Sequence, residues 1–136
     1  MPFLAHLPRI ELELEGRPLN TEIAVADRFF SRLRGLMFAP PLARGQGLLI
    51  APCNSIHTQC MRGAIEAVFL SKKFQILKIS SPLRPWLGLS LCPGAHAVLE
   101  WPVGEAKRLG LREGVWLKWA ELDGESKLLP GMGGRA

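Results

Sequence analysis

The stretch Ile65-Glu66-Ala67-Val68-Phe69-Leu70-Ser71-Lys72-Lys73-Phe74-Gln75-Ile76-Leu77-Lys78-Ile79 decides how this chain folds. Ala67 to Leu70 and Phe74 to Ile79 read as two strands around a Ser71-Lys72-Lys73 turn. Working back toward the start, Gly47 to Ala51 is a short apolar run that enters a loop at Pro52 to Cys60. Before it, Asp27 can cap a helix whose apolar positions Phe29, Phe30, Leu33, Leu36 and Met37 share one broad face, and Pro40 and Pro41 end it. Further back, Ile10 to Glu15 alternates with period two, Gly16, Arg17 and Pro18 break the pattern, and Thr21 to Val25 resumes it, which predicts an opening hairpin.

Working forward, Ser80 to Ala95 holds three prolines, two glycines and Trp86, and reads as a long irregular connection of the kind that often carries function. His96 to Trp101 then reads as a strand, Val103 to Leu109 as a short helix and Val115 to Leu122 as a last strand. Many short strands with one good helix and one poor one predict an α+β, mainly β fold, with a curved antiparallel or mixed sheet that could close like a barrel. A chain of 136 residues has material for one core, which excludes a multidomain machine. The expected domain is 1–127, followed by a loose tail at 128–136. With 48% hydrophobic and 21% charged residues, disordered and fibrous classes are excluded as well.

The net charge of +5 is unevenly placed. Nine basic residues lie between Arg28 and Arg84 against one acid, Glu66, a local +8, while the remainder carries eight basic and eleven acidic residues. A basic middle can attract an anionic ligand, but its cations are scattered and not interleaved with stacking aromatics, so nucleic acid is the less favoured partner and a solvated face the more ordinary one. The first 16 residues lack the pattern of a secretory signal, and no apolar run approaches the roughly 20 residues that span a bilayer. The expected location is cytoplasmic, where Cys53, Cys60 and Cys92 stay thiols.

One segment concentrates groups that can do chemistry, Cys53-Asn54-Ser55-Ile56-His57-Thr58-Gln59-Cys60-Met61. Zinc takes thiolate and imidazole ligands, so Cys53, His57 and Cys60 are weak candidates for a metal site. Their spacing matches no finger pattern, and small buried thiols are the favoured alternative. A cysteine nucleophile with His57 as base is a lesser reading. Glu66 and Glu100 each interrupt an apolar strand, where a carboxyl group either serves acid–base work or pairs with an arginine such as Arg34. Arg34 precedes Gly35, whose missing side chain lets another group approach closely.

Taken together, Arg32-Leu33-Arg34-Gly35-Leu36-Met37, Cys53-Asn54-Ser55-Ile56-His57-Thr58 with Met61, Ile65 to Leu70, and Ala97-Val98-Leu99-Glu100 with Gly104 resemble the successive blocks of the domain-of-unknown-function family DUF192, in that family's order. The resemblance spans roughly Ile23 to Trp119 and implies a compact, mostly β domain with a short helix or two. It transfers positions without a reaction: Arg34, Gly35, Asn54, His57, Thr58, Met61 and Glu100. The chain departs from the family where Pro-Ile-Asp is usual, having Ala64-Ile65-Glu66, and at Gly63, where an aromatic is usual. The longer Glu66 weakens an enzymatic reading.

The expectation is therefore a small cytoplasmic binding domain, calling for no cofactor, in which Arg34, His57, Thr58, Met61, Glu66 and Glu100 line one polar cleft for a small anionic ligand. The rivals are a hydrolase using His57 with Glu66 or Glu100, and an interaction module whose basic surface and Trp86 are covered by a partner.

Overall fold

The computed structural model describes residues 7–26, 42–58, 61 and 63–121. Among the described residues, ten strands and one helix follow in order: β1 (Arg9–Leu14), β2 (Arg17–Pro18), β3 (Glu22–Ala26), β4 (Gln46–Ile50), β5 (Ser55–His57), β6 (Ile65–Leu70), β7 (Ile76–Leu83), β8 (Leu89–Leu91), β9 (Ala97–Trp101), α1 (Glu105–Leu109) and β10 (Lys118–Glu121). The helix expected from Asp27 and the tail at 128–136 lie outside the described residues. Among those residues, no helix is long and apolar enough to cross a membrane.

The main sheet runs β10-β1-β3-β4-β9-β6-β7, with β2 beside β1. It is mixed: β3 and β4 are parallel, and the other neighbours are antiparallel. Its two ends meet at one corner. The Ile76 N–H donates to the Val115 carbonyl at 2.8 Å, and Gly114 and Leu117 N–H donate to the Ile76 and Phe74 carbonyls, each at 2.8 Å. The sheet is thereby curled into a half-barrel, and its concave face carries the larger core: Ile10, Leu12, Ile23, Val25, Leu49, Val68, Leu70, Leu99, Trp101 and Trp119, with Ala106 and Leu109 of α1 plugging one end. β6 and β9 are buried on both faces. That is why Ile65 to Leu70 reads as a continuous apolar run and not as an alternation.

The convex face carries a second cluster, Ala24, Ala26, Leu48, Ile50, Ile56, Met61, Ile65, Ala67, Phe69 and Val98. A short antiparallel ribbon of β5 and β8 covers part of it, with His57 opposite Leu89 and Ser55 opposite Leu91. The ribbon is tied to β7 by the Ser80 and Ser90 hydroxyls, 2.6 Å apart, and by the Lys78 amino group, which donates to the Leu91 carbonyl at 2.9 Å. The expected irregular connection from Ser80 to Ala95 therefore holds the end of β7 and all of β8. The pairing that makes β8 a strand comes from a segment more than thirty residues earlier.

Candidate functional site

Antiparallel pairing of β6 with β9 sets Glu66 opposite Trp101 and Ala67 opposite Glu100. Successive residues of a strand point to opposite faces. The two acids expected in one cleft consequently stand on opposite sides of the sheet, Glu66 on the concave face and Glu100 on the convex one.

Glu66 is buried, and its carboxyl group is fully engaged. Oε2 accepts from the Trp101 indole N–H at 2.8 Å and from the Ala106 N–H at 2.8 Å, and Oε1 accepts from the Gly104 N–H at 3.1 Å. Gly104 begins α1 with φ 96° and offers no side-chain cap. Glu66 supplies that cap from a strand almost forty residues earlier, and fastens the helix to the open end of the half-barrel.

Glu100 is different in kind. It is 1% exposed, and its Oε1 atom has no hydrogen-bond partner among the described residues. The register places Ala24, Leu48, Glu100 and Ala67 side by side in one row across the convex face. Burial among these apolar neighbours raises its pKa from 4.5 to about 8, so it is a neutral acid at neutral pH, able to donate as well as accept a hydrogen bond. Leu48 and Ala67 flank it directly, and Ala24 lies one strand beyond Leu48.

The remaining residues singled out in the sequence lie around this face. Met61 belongs to the convex cluster. Thr58 is buried and holds the turn at residues 84–88: its hydroxyl donates to the Arg84 carbonyl and accepts from the Gly88 N–H at 2.7 Å, and its carbonyl accepts from the Trp86 N–H at 2.8 Å. His57 is exposed at the end of β5. The sheet separates it from Glu66, because Ile56 packs on the convex cluster while Glu66 faces the concave one. Arg34 and Cys60 lie outside the described residues. Cys53 and Cys92 are half-buried beside the convex cluster, and the Cys53 thiol donates to the Ser55 carbonyl at 3.0 Å. Among the described residues no three His, Cys, Asp or Glu side chains are arranged to hold a metal ion.

Sequence reasoning missed an open hollow of about 450 Å³ lined by Arg44, Pro102, Val103, Gly104, Glu105, Lys107 and Arg108. Its floor is already internally paired. Arg108 clasps both oxygens of Glu105, at 2.7 and 2.8 Å, and Glu105 also accepts from the Gly45 N–H at 2.8 Å. The Arg108 bond, with help from Gly45, holds the Glu105 carboxyl below its ordinary range. Nothing in the local sequence signals this hollow, since Arg44 and Arg108 are far apart along the chain.

Comparison with known proteins gives one consistent picture. The family model DUF192, described as Uncharacterized ACR, matches residues 10–119. A UPF0127 protein of Pyrococcus furiosus is 29% identical over 110 residues, covering 77% of this chain and 92% of that protein. One from Thermococcus sibiricus is 29% identical over 121 residues, covering 85% of this chain and 77% of its own. Two crystal structures share the fold. A Sinorhizobium meliloti chain named a candidate transcription regulator has TM-score 0.72 and 22% identity, covering 82% of this chain and 92% of that one. A Novosphingobium aromaticivorans protein of unknown function has TM-score 0.71 and 20% identity, covering 82% of this chain and 84% of that one.

Proposed function

This chain belongs to the DUF192 family, and from that premise we propose that it is a cytoplasmic small-ligand-binding domain whose recognition group is Glu100, on the convex face of the sheet. The observation that carries the reading is the buried Oε1 of Glu100, without a hydrogen-bond partner among the described residues. Leaving such a group unpaired costs about 1–3 kcal/mol, a penalty that a bound molecule with a suitably placed oxygen would relieve. A neutral carboxylic acid can donate to the oxygen of a carboxylate or phosphate, which an ionised one would repel. A small anionic ligand therefore fits, with Arg34 as its proposed counter-charge and Met61 and the alanines of the sheet as apolar surroundings. Glu66 is left out of this site because its oxygens already serve three donors.

Native mass spectrometry of tag-free protein tests the reading. The wild type is expected to carry an organic-sized excess over the 15.0 kDa chain, to lose it in Glu100→Ala and to keep it in Glu100→Gln, whose amide still donates. A bare wild-type chain, or an excess mass unaffected by Glu100→Ala, would overturn it.

A further inference from the structure

The turn at 84–88 and strand β8 expose four large apolar side chains together: Trp86 is 58% exposed, Leu87 82%, Leu89 70% and Leu91 51%. Single exposed apolar residues are ordinary, but a contiguous set marks an interaction surface. The backbone beneath them is firmly built. Thr58, fully buried, ties Arg84, Trp86 and Gly88 by the bonds described above, and Trp86 is held at φ 70°, a conformation that bulky residues rarely adopt. No room is left beneath the turn either: a Cβ on Gly88 would lie 2.9 Å from the Thr58 hydroxyl and 3.1 Å from the Arg84 carbonyl. Ser90 points inward to Ser80, so the alternation of β8 turns Leu89 and Leu91 outward.

Within the segment that carries this surface the charge has one sign, while the Glu113 carboxylate, from outside it, accepts from the Ile79 N–H of β7 at 3.2 Å. From Ala67 to Leu99 the chain contains no acid, and its ionised groups are Lys72, Lys73, Lys78 and Arg84. Arg84 opens the exposed turn, and the Lys78 amino group sits at the Leu91 carbonyl, on the rim of the patch.

We propose that the turn at 84–88 and the outer face of β8 dock this protein on an anionic lipid surface, with Trp86, Leu87, Leu89 and Leu91 entering the interface and Arg84 and Lys78 meeting headgroup oxygens. Three observations select this occupant. Leucine and tryptophan bordered by basic residues is the composition of interfacial membrane binders, whereas leucine is under-represented among the residues that dominate protein–protein contacts. Side chains as exposed as Leu87 and Leu89 stand clear of their own surface and suit a fluid medium that closes around them. A second copy is disfavoured, because two such faces would bring like charges together. This proposal is independent of the Glu100 reading, which concerns the buried face beneath the ribbon.

Co-sedimentation of the full chain with vesicles of phosphatidylserine and phosphatidylcholine tests it. The wild type is expected to pellet with them, to stay in solution with phosphatidylcholine alone, and to be released as salt rises. Trp86→Ser with Leu87→Ser is expected to weaken partitioning by about tenfold or more, and Arg84→Glu by about fivefold. These positions are exposed, and far-ultraviolet circular dichroism checks that the variants remain folded. As a second readout, anionic vesicles are expected to shift tryptophan emission to the blue in the wild type and not in Trp86→Phe, although that variant still pellets. The proposal is overturned if the wild type does not pellet with anionic vesicles, if the double variant pellets equally, or if phosphatidylcholine alone binds as well. Retention on immobilised polyglutamate without vesicle binding would overturn it too, and would assign the surface to an acidic protein.

Discussion

Replacing Glu66 by alanine removes the acceptor of three N–H groups at once, and the cost can be worked from their surroundings. The Trp101 indole is fully buried and Ala106 nearly so, and water cannot replace the lost oxygen at either. Each donor left unpaired in such a place costs about 1–3 kcal/mol. Gly104 is exposed, so its N–H can turn to solvent at little cost. The expected loss is about 3–5 kcal/mol, a large fraction of the roughly 5–15 kcal/mol that holds a domain folded. Glu66→Gln offers a sharper comparison. Its carbonyl oxygen can take the place of Oε2 and keep Trp101 and Ala106 satisfied, while its amide faces only Gly104, so the expected loss is about 1–2 kcal/mol. Urea unfolding followed by tryptophan fluorescence measures both, because Trp101 reports directly on the site. A loss below about 1 kcal/mol for Glu66→Ala, or equal losses for alanine and glutamine, would refute the assignment of Glu66 as the cap of α1.

Three further outcomes are expected. Glu100 keeps its proton up to about pH 8 in the folded state, but releases it near 4.5 when unfolded, so the folded chain binds more protons across that window. Its contribution to stability must fall as pH rises from 4.5 to 8, by on the order of 5 kcal/mol, and urea unfolding of Glu100→Gln at several pH values should lack this decline. Glu105 has the opposite sign. Its folded pKa is lowered, so its contribution is present above the unfolded value and lost as pH falls through the folded one; Glu105→Gln should flatten the acid limb of the stability profile and lose about 1 kcal/mol at neutral pH through the weakened Gly45 bond. Gly47→Ala would set a Cβ 2.9 Å from Ile23 Cδ1 and 3.2 Å from the Glu100 carbonyl, which β4–β9 pairing holds in place; thermal unfolding should report a loss of about 1–3 kcal/mol.

Local signals in the sequence located most of the main sheet. The alternation of Ile10 to Glu15, the apolar runs at Gly47 to Ala51 and Ile65 to Leu70, and the segment His96 to Trp101 all became strands within a residue or two of where they were expected. Phe74 did not. It adopts φ 64° in the turn, so β7 begins at Ile76 and continues through Pro82 to Leu83. The three-residue strands β5 and β8 carried no usable signal, since each exists only because the other lies beside it. The roles of the acids were hidden for a related reason. Glu66 and Glu100 both look like polar intrusions in apolar strands, and nothing local distinguishes a cap from an unpartnered acid.

By itself the sequence determined the class of the fold, the positions of most of its longer strands and of the short helix near Leu109, the basic middle, and membership of a family whose blocks run along most of the chain. These depend on periodicity, on chain-breaking glycines and prolines, and on order along the chain, all of which are local or linear. Only tertiary structure decided that β3 and β4 run parallel, that the sheet curls until residues 74–76 meet residues 114–117, and that one residue of register separates Glu66 from Glu100 by the thickness of a sheet. Side chains alternate with period two, so the face an acid occupies is set by which residue of a distant strand it meets. That pairing turned one carboxyl group into the cap of a helix and left the other buried with an oxygen unpartnered among the described residues.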